Sequence, residues 1–427
     1  MRNTVIVSGA RTAVGAFGGS LKTIPVVDLG ALVLKESLKK AGLRPVAGQM
    51  AGQYEADALA GQGATDLEKS FYDYDDALAP ITVDEVIMGN VVGAGQGQNV
   101  ARQAMIRAGI AKESGAFTVN KVCASGMKAV TLAAQAIGCG QADVILAGGM
   151  ENMSMIPYAV PSARWGARMG NAEVTDLVVF DGLYEIFYGY HMGMTAENIA
   201  EKYGISRQQQ DELGALSHQR ALAAIADGRA ADDIVPVSVA QRKGDPVIFD
   251  TDERPMETTA QKMGRLRPAF KKDGTVTAGN ASGINDAAAA LLIMSEDKAA
   301  ELELTPLVRI RAWSTGGVDP AYMGLGPIPA VRKLFHNEGL TIDDIGVVEL
   351  NEAFAVQAIA CMRELNCPQE KTNVMGSGIS IGHPIGCTGA RIILALMGEM
   401  VRQGHALGLA SLCIGGGQGM ATVLEKI

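Results

Sequence analysis

Short apolar runs alternate along this chain with segments whose apolar residues recur every three or four positions, a pattern that predicts strands and helices in succession. Residues 4–8 have the pattern of a buried strand, and residues 81–90 resume it. Residues 28–41 have the pattern of an amphipathic helix, residues 206–227 that of a clear helix, and the alanine run 287–290 predicts a further helix. This alternation favours an α/β fold.

The strand pattern of residues 117–119 stops just before Cys123, where helical spacing begins with Met127, Val130 and Ala134. A cysteine at a helix N-terminus meets free backbone N–H groups and the positive end of the helix dipole, which favour the thiolate. Taken alone, such a cysteine is more often a small core residue. Partners elsewhere in the chain therefore decide whether Cys123 is reactive.

The composition narrows the class of protein. A chain of 427 residues is too long for one ordinary core and should divide into two or three domains. The 52 glycines, with 48% hydrophobic and only 5% aromatic residues, fit closely packed helices on sheets, so an α/β enzyme is favoured over a scaffold. A net charge of −9 argues against general binding of nucleic acid or of anionic membranes.

The cysteines and the apolar segments bear on the compartment. The six cysteines show no CxxC pair, which predicts a reduced, cytoplasmic protein rather than a disulfide-stapled secreted one. The first residues lack the long apolar core of a signal peptide, and no uninterrupted apolar run is long enough to span a bilayer. We therefore expect no membrane partner.

The second part of the chain repeats themes of the first. Residues 341–345 before Asn351 echo residues 82–86 before Asn90, which predicts two similarly wound α/β halves. One segment interrupts the first half: residues 45–80 are rich in Gly, Ala and Gln and end in an acidic run, which predicts an exposed insertion with little core of its own.

Three Gly-rich or polar clusters mark the second half, at residues 351–355 (NEAFA), 382–386 (GHPIG) and 412–419 (LCIGGGQG). Glycine this dense at strand ends lets backbone N–H groups approach a ligand, and it is costly if only packing is required. These clusters are therefore candidate parts of a binding or catalytic site.

His383 is the candidate base for a cysteine nucleophile. Gly382 and Pro384 fix its backbone on both sides, and a thiol nucleophile needs a proton acceptor. Cys413 lies at a strand end, where a second thiol could shuttle a proton. A zinc site built from His383, Cys387 and Cys413 would lack the usual ligand spacing and would quench the nucleophile, so we expect no metal.

These blocks, in this order, resemble the thiolase family, namely the acetyl-CoA acetyltransferases and 3-ketoacyl-CoA thiolases. Two departures are Met375 and Ser377, which stand where the family motif before the histidine has Asn and Gly. The matching blocks cover nearly the whole chain: residues 8–12 (SGART), 119–130 (VNKVCASGMKAV), 149–154 (GMENMS), 190–193 (YHMG), 278–282 (AGNAS), 351–354 (NEAF), 382–384 (GHP) and 413–417 (CIGGG).

The resemblance implies an α/β fold of five layers, α/β/α/β/α, made of two similar halves with an inserted loop domain. The first half would comprise residues 1–152 and 283–305, with the insertion at about 45–80, and the second half residues 306–427. Residues 153–282 match the loop domain, which the resemblance assigns to binding coenzyme A (CoA).

The resemblance also implies a role for each catalytic position. Cys123 is similar to the nucleophile that takes the acyl group, His383 to its activating base, and Cys413 to the acid/base that acts on the acetyl-CoA methyl group. Asn351 would hold a water that forms one oxyanion hole with His383 Nε2. The N–H groups of Cys123 and Gly415 would form the other oxyanion hole.

CoA enters as a substrate or product, and no tightly bound cofactor is expected. The only dense basic cluster of this acidic chain is either a site for the CoA phosphates or a solvated charged loop, and it contains Arg265, Arg267, Lys271 and Lys272. The resemblance places six further residues along the pantetheine tunnel: Leu183, His191, Met192, Ser282, Met323 and Phe354.

The implied activity is acyl transfer between CoA thioesters through a cysteine acyl-enzyme, with condensation of two acetyl-CoA to acetoacetyl-CoA and CoA, or the reverse thiolysis. Residues 190–193 and the Met323 segment favour short chains, and a degradative thiolase for longer chains is the alternative. Residues 351–354 with Cys413 argue against a ketoacyl synthase, and a non-catalytic thiolase-like binding protein would not need both cysteines. The family implies a homo-oligomer, a tetramer or a dimer.

Overall fold

The computed structural model describes residues 2–48 and 51–427, which form a large central sheet with helices on its faces. The strands are β1 (Thr4–Thr12), β2 (Gly15–Ala16), β3 (Leu43–Pro45), β4 (Ala79–Ile81), β5 (Glu85–Gly89), β6 (Gly115–Val119), β7 (Val144–Asn152), β8 (Tyr158–Ala159), β9 (Thr175–Asp176), β10 (Tyr184–Glu185), β11 (Tyr190–His191), β12 (Ile234–Val235), β13 (Val237–Val239), β14 (Val247–Phe249), β15 (Asn285–Ser295), β16 (Val308–Gly317), β17 (Val347–Leu350), β18 (Leu407–Ile414) and β19 (Gln418–Lys426). The α-helices are α1 (Val26–Lys40), α2 (Asp66–Phe71), α3 (Val100–Arg107), α4 (Ser125–Gly138), α5 (Met192–Tyr203), α6 (Arg207–Ala226), α7 (Ala260–Met263), α8 (Glu296–Glu301), α9 (Pro327–Glu338), α10 (Ala355–Leu365) and α11 (Thr388–Gln403).

The sheet consists of two blocks of strands joined by a short ladder. The strand order is β17-β18-β19-β16-β1-β15-β7-β5-β6, so the early part of the chain with β15 forms one block and the late part the other. Between the blocks, β1 pairs antiparallel with β16 through Val5 and Ile6 only. Each block contains both parallel and antiparallel pairs, as in β5–β7 and β7–β15.

The helices complete five layers. Helices α4 and α11 pack on each other and share one core between the two blocks of strands. Helices α1 and α3 cover the opposite face of the first block, and α9 and α10 cover the second block. Small residues such as Gly126, Ala129 and Ala133 are buried along α4, which lets α11 approach closely. The α/β/α/β/α architecture expected from the sequence is therefore confirmed.

The prediction of a helix at residues 287–290 is wrong, because this run lies inside strand β15. Ala287 and Ala289 face the core around α4 and α11, whereas Ala288 and Ala290 face the core around α1. A strand that is buried on both faces has apolar residues at every position. It therefore lacks the alternation of apolar and polar residues by which a strand is recognised in a sequence. Sheet pairing on both sides overrides the helix propensity of alanine.

The other predicted elements of the first part form with shifted ends. The strand expected at residues 4–8 lies within β1, and the two expected helices correspond to α1 and α6. The predicted insertion 45–80 contains two positions, 49 and 50, that lie outside the described residues. In the rest of the insertion, α2 begins with a capping box in which Thr65 and Glu68 exchange hydrogen bonds. Among the described residues, no helix has both the length and the apolar character needed to cross a membrane.

Candidate active site

A cavity of about 310 Å³ collects most of the residues singled out by the sequence. Cys123 comes from the first block, His383 and Gly415 from the second, and all three line the cavity. The predicted tunnel residues line the same cavity: Leu183, His191, Met192, Ser282, Met323 and Phe354. A site assembled from two halves and an intervening segment is thus present in one chain.

Four predicted residues lie outside the cavity wall. Asn351 and Cys413 are completely buried behind it, and Cys413 packs in the apolar cluster that includes Met192 and Phe354. Arg265 and Arg267 are exposed and do not line the cavity. The basic cluster could therefore contact a ligand only through a part that extends out of the cavity.

Cys123 sits in a tight turn just ahead of α4. Val122 before it has a φ of +46°, a left-handed conformation that β-branched residues rarely adopt. The turn is held by hydrogen bonds from Val122 N–H to Asn120 Oδ1 (2.9 Å) and from Ser125 N–H to the Val122 carbonyl (3.0 Å). Strain of this kind persists only where surrounding contacts fix it, and here it sets the position of the cysteine beside the cavity.

The expectation that the helix terminus favours the Cys123 thiolate is not met. Burial raises the pKa of Cys123 to about 11, and hydrogen bonding by the backbone N–H groups of Gly415 and Cys123 opposes the shift only in part. Cys123 also lies two residues ahead of α4, which begins at Ser125. The desolvation cost outweighs the dipole, so the thiol is the resting form and needs a base.

His383 has the hydrogen bonds that such a base requires. Its Nδ1 lies 2.7 Å from Thr388 Oγ1, whose own hydrogen atom is donated to the Pro384 carbonyl at 2.9 Å. Thr388 must then accept from Nδ1–H, which leaves the lone pair on Nε2. That Nε2 atom makes no hydrogen bond with any described residue, and burial lowers the pKa of His383 to about 3. The imidazole is therefore neutral at pH 7 and can accept a proton at Nε2.

Asn351 and Cys413 adjoin this arrangement. Asn351 follows β17, its Nδ2 lies 3.5 Å from His383 Nδ1, and its buried Oδ1 has no partner among the described residues. Cys413 is the penultimate residue of β18, and burial together with the nearby Cys123 raises its pKa well above the ordinary value of 9.0. Both residues offer polar atoms that are shielded from solvent next to the cavity.

Sequence reasoning missed Thr388, which orients the imidazole. The only available signal was a hydroxyl residue five positions after His383, at the start of a helical pattern. Such a residue is normally a helix cap, and only the structure shows the side-chain contact. In the described parts of the chain, no group of three His, Cys, Asp or Glu side chains is placed to bind a metal ion.

A larger cavity of about 800 Å³ lies beside the insertion. It is lined by residues between 45 and 72 and by residues 109–113, and it contains none of the predicted site residues. The cavity that contains Cys123 and His383 is therefore the candidate active site.

The two α/β halves thus place a cysteine and a neutral histidine in one cavity. This combination is typical of enzymes that activate a thiol for attack on an acyl group. Within that class, this chain belongs to the thiolase family. The family model described as "Thiolase, N-terminal domain" matches residues 4–70 and 50–297, and the one described as "Thiolase, C-terminal domain" matches residues 304–426.

Full-length relatives agree with this family. An acetyl-CoA acetyltransferase of Syntrophomonas wolfei is 50% identical over 430 residues, and one of Escherichia coli K12 is 49% identical over 429 residues. Both alignments cover 100% of this chain and 100% of the relative. The crystal structure of the Bacillus anthracis acetyl-CoA acetyltransferase superimposes with a TM-score of 0.89 at 42% identity, covering 100% of this chain and 99% of that one.

Proposed function

We propose that this protein is an acetyl-CoA acetyltransferase that transfers acyl groups between CoA thioesters through an acyl-enzyme on Cys123. The observation that carries the proposal is the common cavity of Cys123, His383 and Gly415, walled by the predicted tunnel residues. The names of the relatives at about half identity over the whole length support the same activity. The reaction joins two acetyl-CoA into acetoacetyl-CoA and CoA, or cleaves acetoacetyl-CoA in reverse.

In the first half-reaction, His383 acts as the base. Its Nε2 takes the proton of the Cys123 thiol as the sulfur attacks the acetyl carbonyl, and it returns that proton to the departing CoA sulfur. The neutral resting state of the imidazole suits this exchange, because a protonated ring could not accept. The acyl-enzyme is itself a thioester, so one thioester replaces another at little cost in free energy.

In the second half-reaction, Cys413 acts on carbon. Its thiol first gives its proton to the neutral His383 Nε2, and the resulting thiolate removes a proton from the methyl group of the second acetyl-CoA. The carbanion attacks the acetyl group on Cys123 and releases the Cys123 thiolate. His383 then returns its proton to Cys123, which leaves both thiols protonated and resets the site. In thiolysis Cys413 donates its proton instead, in the thiol form that its raised pKa favours.

Two sets of donors would stabilise the negative charge on oxygen. The backbone N–H groups of Cys123 and Gly415 already converge on the Cys123 sulfur, which supports their role as the oxyanion hole for the acyl-enzyme carbonyl. Asn351, through a bound water, would serve the second thioester carbonyl together with His383 Nε2–H, which donates while the ring holds the proton taken from Cys413. Removal of one such donor costs roughly 10²- to 10³-fold in kcat in other acyl transferases.

For CoA, we propose that residues 153–282 supply much of the tunnel. His191 stacks on Phe270 with ring centroids 4.7 Å apart, and Phe270 meets Phe354 edge-on at 6.3 Å. These rings and Met323 give the apolar wall that a pantetheine arm fits. The exposed Arg265 and Arg267 would then meet the CoA phosphates. The Arg267→Ala variant should raise the Michaelis constant for CoA more than that for a pantetheine analogue without phosphates, and equal increases would exclude phosphate binding.

The decisive experiment locates the acyl group. The protein is incubated with acetyl-CoA, quenched, and analysed by peptide mass spectrometry, and we expect an acetyl group on Cys123 with release of one CoA. Release of CoA without this adduct would refute the mechanism. The Cys413→Ala variant is the matched control, because it should still be acetylated on Cys123 but should lose condensation. Loss of acetylation in that variant would reverse the two roles.

Chain length is tested with a series of 3-ketoacyl-CoA substrates. A cavity of about 310 Å³ is at the small end for ligand sites, which favours short acyl groups beside the pantetheine arm. We expect the highest kcat/KM for acetoacetyl-CoA. A flat profile with longer chains would favour the degradative thiolase instead.

We further propose a cytoplasmic homo-oligomer, a dimer or a tetramer. All six cysteines are free, which fits a reducing compartment. The segment between residues 155 and 188 exposes several large apolar side chains, among them Trp165 at 82%, Met169 at 97% and Phe187 at 72%. Such a concentration of apolar surface supports self-association, which light scattering of the full chain would measure.

A further inference from the structure

The loop that carries His383 belongs to the second half, yet two buried side chains of the first half hold it. Asn285, the first residue of β15, accepts the backbone N–H of His383 at Oδ1 (3.0 Å). Glu151, near the end of β7, accepts the backbone N–H of Gly386 at Oε2 (2.9 Å). The loop is therefore fixed on either side of Pro384 by acceptors that come from the other half.

Both acceptors are themselves anchored. Glu151 is fully buried, and its oxygen atoms also accept the N–H groups of Val91 (2.9 Å) and Val92 (3.2 Å) and the side-chain amide of Asn90 (3.2 Å). Asn285 is 1% exposed and donates its Nδ2 to the Gly15 carbonyl at 3.0 Å. Neither side chain can rotate without leaving buried polar groups unpaired.

Close packing also fixes the histidine loop against Glu151 and Asn285, in addition to the hydrogen bonds. A side chain at Gly386 would collide with Glu151 Oε2, and one at Gly382 would collide with the amide of Asn285. The four groups that hydrogen-bond to the Glu151 oxygens are all donors, which favours the carboxylate, whereas burial and the nearby charge of Asp286 raise its pKa to about 7. The carboxylate meets the loop only through its backbone and lines no part of the cavity.

We propose that Glu151 and Asn285 are positioning residues that set the distance between His383 Nε2 and the Cys123 sulfur across the two halves. Cys123 is fixed to the first half by its own turn, so the proton transfer depends on where the first half holds the histidine loop. The inference rests on the proposed roles of Cys123 and His383. A displacement of about 1 Å in such a pair costs on the order of 10²-fold in rate.

The test is the pH profile of Cys123 alkylation by iodoacetamide, measured between about pH 8 and 10, above the pKa of Glu151, so that this side chain stays a carboxylate throughout. With His383 in place as a neutral base, the wild type should show a pH-independent component, because the imidazole is already deprotonated. We expect Glu151→Gln and Asn285→Ala to reduce that component about 10- to 100-fold, leaving a rate that rises tenfold per pH unit as the free thiolate forms. The KM for acetoacetyl-CoA should stay within about twofold, because neither residue lines the cavity.

Asp286→Asn is the matched control. Asp286 is a neighbouring buried carboxylate that accepts Ser154 N–H at 2.9 Å and, among the described residues, makes no hydrogen bond to the histidine loop, so its profile should keep the wild-type shape. An unfolded fraction would expose Cys123 as an ordinary thiol with the same rising rate, but it would equally expose Cys361, which is fully buried in the fold. Alkylation is therefore mapped by peptide, and the expected result is loss of the pH-independent component at Cys123 while Cys361 stays protected. If Glu151→Gln and Asn285→Ala keep the pH-independent component, the positioning role is overturned. If the wild type lacks that component and forms no acetyl-Cys123, the proposed function itself fails.

Discussion

Glycine serves different purposes in two regions of the molecule. One region is the contact between the two halves at Gly149 and Gly386, here called the joint, and the other is the insertion at residues 45–80. At the joint, a Cβ atom on Gly149 would fall on the carbonyl oxygen of Gly386, so the two backbones touch directly. In the insertion, Gly52 and Gly61 have no heavy atom of the described residues within 4 Å of the place where a Cβ would lie. Glycine content alone therefore does not locate the site, whereas close backbone approach does.

The largest effect is expected when a side chain is added to the glycine at the joint. Gly149→Ala places a methyl group against the Gly386 carbonyl, and Gly149 cannot move away because its strand is paired on both sides. We expect a loss of about 3 kcal/mol or more in the free energy of unfolding, measured by urea denaturation. A stability within about 1 kcal/mol of the wild type would show that the halves are less tightly joined than the structure indicates.

Loss of the hydroxyl that orients the imidazole should have the next largest effect. Thr388→Val removes the acceptor for His383 Nδ1–H, so the ring loses the hydrogen bond that keeps the Nε2 lone pair free. We expect about a 10²-fold decrease in kcat with little change in KM, measured by steady-state thiolysis. Thr388→Ser keeps the hydroxyl and should retain most of the rate; an equal loss in both variants would assign the effect to packing.

Alkaline pH should weaken the fold in part through a buried thiol at the joint. Burial raises the pKa of Cys387, which follows Gly386, from 9.0 to about 12. The unfolded chain releases this proton first, so Cys387 should not affect the free energy of unfolding below about pH 9 and should lower it by about 1.4 kcal/mol per pH unit above it, in addition to the effect of other buried thiols such as Cys413. Urea denaturation of the wild type and of Cys387→Ala between pH 8 and 11 measures the difference. Equal slopes in the two proteins would mean that this thiol ionises freely when folded.

The smallest effect is expected in the insertion. The methyl group of Gly52→Ala would meet no atom of the residues that the structure describes, and Gly52 has no left-handed φ, so the change should alter the free energy of unfolding by less than about 0.5 kcal/mol and leave kcat unchanged. The same glycine-to-alanine change at position 149 provides the internal comparison. A large loss at Gly52 would show that the insertion is packed more tightly than its open surroundings suggest.

The family and the five layers could be predicted from the sequence, because motifs and the alternation of strands and helices depend on residues that are close together in the chain. It placed Cys123, His383 and Gly415 in one site, and the structure brings them to one cavity, while their chemical roles stay predictions. It failed at Ala287–Ala290 because a strand buried on both faces has no alternation.

Contacts between residues that lie far apart in the chain could not be predicted from the sequence. Thr388 is close to His383 along the chain, but Glu151 lies 235 positions from Gly386, and nothing in local spacing links them. The low pKa of His383 and the high pKa of Cys123 likewise come from burial, which depends on the whole fold. Burial thereby reversed the expectation of a resting thiolate.

The backbone contact between Gly149 and Gly386 also bears on recombination of this protein with its relatives. A joint made of side chains would need matched pairs, so exchange of one half would create clashes or holes. At this backbone contact each half need only keep its glycine, whereas the core shared by α4 and α11 and the acceptors Glu151 and Asn285 must still match. Chimeras that combine the first half of one homologue with the second half of another should therefore assemble a complete cavity only when they keep these glycines, acceptors and core residues.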